Sequence, residues 1–105
     1  MALTKDFKDT IKARADRDPE FCRALFKGAV QCFIDGDIET GKAVLKDYIN
    51  ATIGFEELSK LTDKPSKSLL RMFSPAGNPR ADNLFNVIST IQQCEGFKLE
   101  VRCSG

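Results

Sequence analysis

From residue 55 onward the hydrophobic positions fall into short helical packets separated by breaks. Phe55, Leu58 and Leu61 recur at i, i+3 and i+6, which predicts a buried face over about 55–62 and leaves Glu56, Glu57 and Lys60 to water. Asp63-Lys64-Pro65 interrupts the pattern. Pro65 cannot continue a helix, but its preset φ suits the first position of a new one. The next helix is expected over Pro65–Ser74, with Leu69, Met72 and Phe73 inward and Ser66, Lys67, Leu70, Arg71 and Ser74 outward. Ser74-Pro75-Ala76-Gly77-Asn78-Pro79 is a loop rich in turn-forming residues. A further helix follows over about Asp82–Gln93, with Leu84, Phe85, Val87, Ile88 and Ile91 as its apolar stripe.

Upstream the packets are longer. Residues 4–16 read as an amphipathic helix with Leu3, Phe7 and Ile11 as its stripe and Thr4 as a cap. Asp18-Pro19 opens a second helix whose wide apolar face is Phe21, Leu25, Phe26, Ala29, Val30 and Phe33, and Gly36 ends it. Asp37 caps a third, which buries Ile38, Val44, Leu45, Tyr48 and Ile49, and Asn50–Gly54 makes the bend into the packets described above. The strongly apolar 21–33 face either widens the core or supports association with a partner. At the other end, Phe97-Lys98-Leu99-Glu100-Val101-Arg102 alternates apolar and charged residues, as a half-buried strand does. No second strand is visible in the chain. Half-buried backbone groups need partners, so an antiparallel pairing with the same strand of a second copy is expected, with Phe97, Leu99 and Val101 as dimer contacts. A strand of a partner protein could substitute, and a frayed tail is the plain alternative.

Short helix, break, short helix, loop and helix is the grammar of a helix-turn-helix DNA reader. On that reading the second short helix is the recognition helix. Lys67 and Arg71, four residues apart, lie on one side of it, and Arg71 can bind a guanine edge or a phosphate through two bonds. Ser66 and Lys67 stand at its start, after Lys64 and Pro65, and Asn78 and Arg80 are placed for a second phosphate clamp. Leu70 is unusual on such a face and suits either a thymine methyl or a protein contact. The candidate DNA-contacting set is therefore Lys64, Pro65, Ser66, Lys67, Leu70, Arg71, Asn78 and Arg80. The plain alternative is a solvated helix face carrying two cations.

Charge sharpens this picture. The 105-residue chain has a formal net charge of +1, so it is not a polycation. Residues 28–61 hold three bases and six acids, whereas 64–80 hold Lys64, Lys67, Arg71 and Arg80 and no acid. One local basic window in a balanced chain suits a site-specific reader better than a nonspecific coater. So few cations predict weak binding by a monomer, which again favours a dimer. The length suits a single domain over residues 1–105.

The remaining chemistry is sparse. The chain has no histidine, so Ser-His and Cys-His nucleophile systems are excluded, and its glycines are too dispersed for a phosphate loop. Cys22, Cys32, Cys94 and Cys103 include no C-x₂-C pair, so neither a metal nor any other cofactor is expected. No catalytic residues are assigned. With neither a signal peptide nor a transmembrane run visible, a cytoplasmic protein with reduced thiols and no membrane partner is expected.

The run GFEELSKLTDKPSKSLLRMFSPAGNP, followed by a Leu-Phe-x-Val-Ile helix and FKLEV, resembles the addiction-module antidote proteins. These are HigA-like antitoxins with an Xre/Cro-type helix-turn-helix. The preceding DPEF…FIDGDIETGKAVLKDYINATIGF is similar too, so the resemblance covers roughly residues 18–102. Its most specific element is the SPxGNP loop, Ser74–Pro79. The chain departs from the pattern at Pro65, where the family has a Ser or Thr cap, and at Gln92-Gln93-Cys94-Glu95, which adds about a turn. The resemblance implies an all-α fold: a lambda-repressor-like helix-turn-helix bundle over 37–94, an N-terminal extension of two helices over 1–36 and one short C-terminal β-strand over 97–102. It also implies a repressor that binds a palindromic double-stranded operator as a homodimer and neutralises a RelE/HigB-like toxin. Two alternatives remain. One is a stand-alone phage or mobile-element regulator, and the other a helical protein-interaction adaptor without DNA binding.

Overall fold

The computed structural model describes residues 18–105, and the expected helix over 4–16 lies outside them. Five helices occur among the described residues: α1 Pro19–Ile34, α2 Ile38–Ala51, α3 Phe55–Thr62, α4 Ser66–Met72 and α5 Ala81–Glu95. The architecture is all-helical.

Local chemistry starts and stops these helices. The Asp18 carboxylate accepts from the Phe21 N–H at 3.1 Å, and Pro19 takes the first position of α1. Asp37 caps α2 in the same way, accepting from the Thr40 N–H at 3.3 Å. Between them Gly36, at φ +87°, adopts a left-handed conformation that turns the chain back. α1 and α2 then pack as a hairpin. Gly41 permits the close approach, because a Cβ there would stand 2.8 Å from the Phe33 ring. Phe26 meets Tyr48 across the hairpin with ring centroids 5.2 Å apart.

α3 and α4 are short and meet at a tight corner. Asp63 ends α3 at φ 57°, a left-handed conformation that costs a non-glycine residue about 1–2 kcal/mol. The Ser59 hydroxyl holds the corner by donating to the Lys64 carbonyl, while the Lys64 N–H donates back to the Ser59 carbonyl at 3.3 Å. The second helix is shorter than the sequence suggests. Pro65, at φ −60° and ψ 143°, stands just outside it in extended backbone and contributes only its carbonyl, which accepts from Leu69 N–H at 3.1 Å. The far end closes early because the Ser74 N–H turns to the Arg71 carbonyl at 3.2 Å. α5 packs against α3, runs two residues further than expected and ends at Gly96, φ 73°.

One core joins the helices: Phe26, Ala29, Leu45, Tyr48 and Ile49 from the hairpin, and Phe55, Leu58, Leu69, Phe73, Leu84, Val87, Ile88 and Ile91 from the rest. Three residues expected inside are largely exposed: Leu61 at 50%, Phe85 at 61% and Ile38 at 41%. Each i+3 step drifts by about 60° around a helix, so Leu61 lies roughly 120° from Phe55. Phe85 stands about 100° from Leu84, outside the narrow arc of Leu84, Val87, Ile88 and Ile91. Ile38 is the first residue of α2, at the reversal from α1.

Residues 97–102 form no strand in the single chain. Phe97 packs on Phe26 at a centroid distance of 5.3 Å, and Phe97 and Leu99 lean on the chain's own core. The Phe97 N–H donates to the Gln92 carbonyl at 3.3 Å and the Leu99 N–H to the Gln92 side-chain oxygen at 2.7 Å. A strand needs a neighbouring strand. Here Gln92 supplies the acceptors instead, and of the three expected dimer contacts only Val101 is left largely exposed, at 87%.

Candidate nucleic-acid interface

α4 is amphipathic over its seven residues. Leu69 is buried and Met72 half-buried, while Lys67, Leu70 and Arg71 are exposed. Among the described residues no carboxylate forms an ion pair with Lys67 or Arg71, so both cations face solvent uncommitted. Lys64 and Ser66 are half-buried at the corner and Pro65 is exposed. The expectation that Ser66 points fully outward is corrected, because the corner bends across it.

Asn78 and Arg80 are exposed, and the loop before them brings them to α4. The loop folds back over the end of that helix so closely that a Cβ on Gly77 would stand 1.9 Å from the Arg71 carbonyl oxygen. Glycine at 77 is therefore a steric requirement. The Ser74 hydroxyl donates to the same Arg71 carbonyl at 2.8 Å, and the Gly77 N–H donates to the Ser74 carbonyl at 2.9 Å. Arg80 is partly committed, since its Nε lies 3.4 Å from Asp82 Oδ1. The set thus divides into Lys67, Leu70 and Arg71 on one open face, Asn78 and Arg80 beside its C-terminal end, and Lys64, Pro65 and Ser66 at the corner.

Lys42 of α2 does not figure in the sequence reading, yet it organises this site. Its side chain is 2% exposed. The ammonium donates to the Ser74 carbonyl at 3.0 Å and the Gly77 carbonyl at 2.8 Å, and it pairs with Glu39 Oε1 at 3.1 Å. Three donors meet three acceptors, which offsets the desolvation of the charge. The signal was present: Lys42 lies one turn from Leu45 and two from Ile49, a cation on an apolar stripe.

Tyr48 holds the other notable polar group. Its hydroxyl is buried with no hydrogen-bond partner among the described residues, and the nearby Thr52 hydroxyl donates to Tyr48's own backbone carbonyl at 2.7 Å. Burial pushes the phenol well above its ordinary range. Glu95 and the Cys22 thiol push the same way, with a smaller part from Cys94, and the Thr52 hydroxyl opposes them. No disulfide joins the four cysteines, and the described residues contain no cluster of metal-ligating side chains and no helix long and apolar enough to cross a membrane.

Comparison of the chain with protein-family models, curated proteins and solved structures returned no match.

Proposed function

We propose that α3 and α4 form the helix-turn-helix of a sequence-specific DNA-binding repressor, with α4 as the helix that enters the major groove. The observation that carries this reading is the open face of Lys67, Leu70 and Arg71, without acidic partners among the described residues and flanked by Asn78 and Arg80 on a loop fixed to the same helix. In this reading Arg71 reads a base edge or clamps a phosphate, Lys67 and Arg80 contact the backbone, and Leu70 meets a thymine methyl. Lys64, Pro65 and Ser66 skirt the groove at the corner.

Few cations face the DNA in one copy, so a homodimer on a palindromic operator supplies the affinity. Segment 97–102 of a second copy would provide the neighbouring strand that the described residues lack, starting from exposed Val101. The resemblance to antidote proteins extends the reading to an antitoxin that represses its own operon and binds a RelE/HigB-like toxin, with a stand-alone mobile-element regulator as the variant lacking a toxin. A helical adaptor without DNA binding is the second reading, favoured by the exposed Leu61, Leu70 and Phe85.

Selection from a randomised duplex pool, followed by a salt titration, separates the two. A reader enriches a palindrome and loses affinity steeply with salt. No retention of duplex at low salt refutes the reader and leaves the adaptor. An adjacent gene for a small basic ribonuclease-like protein would favour the antitoxin over the stand-alone regulator.

A further inference from the structure

The geometry points to Lys42 as the positioning residue of the DNA-facing surface. From inside the bundle it sets where Arg71, Asn78 and Arg80 stand relative to one another. This rests on the DNA-reader proposal above and adds to it a residue that touches no DNA.

The Lys42 ammonium holds the Ser74 and Gly77 carbonyls at 3.0 and 2.8 Å, the two acceptors that bracket the turn. Ser74 passes that restraint to α4, because its hydroxyl and its N–H both donate to the Arg71 carbonyl, at 2.8 and 3.2 Å. Gly77 passes it to the residues that follow, Asn78 to Arg80, since it is seated so near the same carbonyl that no Cβ would fit. One buried cation on α2 therefore fixes both sides of the interface, the C-terminal end of α4 and the start of α5. The turn has little apolar content of its own to hold it, with Pro75 and Ala76 both exposed. A loop in which carbonyls converge on an interior point needs a cation or donors there, and Lys42 supplies three. Glu39, 70% exposed, completes the coordination without determining the turn.

A positioning residue and a merely stabilising one differ in what they change. Loosening the turn lets Arg71 and Arg80 reach phosphates independently, so nonspecific binding survives while register is lost. The test uses the full chain, the best duplex selected by wild type from a randomised pool, and a scrambled duplex of the same composition. For Lys42→Met we expect cooperative unfolding to be retained and the selected-to-scrambled affinity ratio to fall by about tenfold or more, with scrambled binding within about twofold of wild type. Glu39→Gln should leave the ratio within about twofold, as expected for an exposed partner. If Lys42→Met does not fold, Lys42→Arg is read in its place. Its planar fork keeps the charge but cannot reproduce the ammonium's three-way coordination, and a drop in the ratio is again expected. An unchanged ratio in a folded variant, or equal losses on both duplexes, overturns the positioning role while leaving the DNA reader standing. Failure of wild type to enrich any sequence overturns the reader, and the positioning role with it.

Discussion

The loop at 74–80 and the segment at 97–105 are both irregular, both follow a helix, and both carry candidate contacts. They are held very differently. The loop is tied by the Lys42 ammonium, by Ser74 to the Arg71 carbonyl and by the tight seating of Gly77. The C-terminal segment docks through Phe97 and Leu99 and then runs exposed from Glu100 to Gly105. Irregular backbone becomes a precise scaffold when its polar groups find fixed partners in the chain, and otherwise it awaits partners from outside. A loop of the first kind can hold contacts in register. A segment of the second kind suits an association that forms only when another copy arrives.

Substitutions can break this contrast, and the largest effect is expected at Gly77. Gly77→Ala drives a methyl into the Arg71 carbonyl and should cost roughly 3 kcal/mol, the upper part of the range for an overpacked site. Urea denaturation measures it, and a midpoint equal to wild type would mean that the turn is not closed in solution. Lys42→Met removes the ammonium donor from the Gly77 carbonyl and one of two donors from the Ser74 carbonyl, and should cost about 2 kcal/mol. The same denaturation curves report it, and a loss near zero would place the loop with the tail among loosely held segments. On the open face, Arg71→Ala should cost about 1–3 kcal/mol of binding to the selected duplex while leaving thermal stability near wild type. An unchanged gel-shift titration would remove Arg71 from the interface.

Tyr48→Phe probes the core between the two regions. It keeps the ring against Phe26 and deletes a hydroxyl that has no partner among the described residues, so stability near pH 7 should be unchanged or rise by up to about 1 kcal/mol. The sign with pH follows from the raised phenol. The folded state favours the neutral form, so its contribution is complete below the unfolded value near 10 and is lost as pH climbs beyond it. Wild type should therefore lose stability relative to the Phe variant above pH 10, and parallel alkaline curves would contradict this. The smallest effect is expected in the tail. Val101→Lys should change the stability of the single chain by no more than about 0.5 kcal/mol. It should nevertheless weaken dimerisation if the segment pairs between copies, and light scattering at micromolar concentration separates the two effects.

The helical elements were largely legible in the sequence because their determinants are local. Asp18-Pro19 and Asp37 announce two helix starts, and the stripes of α1, α2 and α5 follow helical periodicity. The open face of α4 was legible for the same reason, since burying Leu69 with Met72 leaves Lys67, Leu70 and Arg71 outward. Other expectations depended on more than local pattern. Leu61 and Phe85 lie too far around their helices to reach the core, which only the set of facing helices determines. The 97–102 alternation has strand periodicity but no neighbouring strand among the described residues, and Gln92 satisfies part of its backbone.

Sequence alone thus determined the helices, their caps, the acid-free basic window and the glycine-bearing loop, because each depends on residues within a turn or two of one another. The tertiary structure decided why that loop holds its shape. Lys42 and Ser74 are 32 positions apart. Nothing in either neighbourhood pairs them until α2 packs beside the end of α4. A lysine on an apolar stripe looks like a flaw in a helix until the fold brings carbonyls to it, and then the need to satisfy a buried charge makes it the fixed point of the surface above.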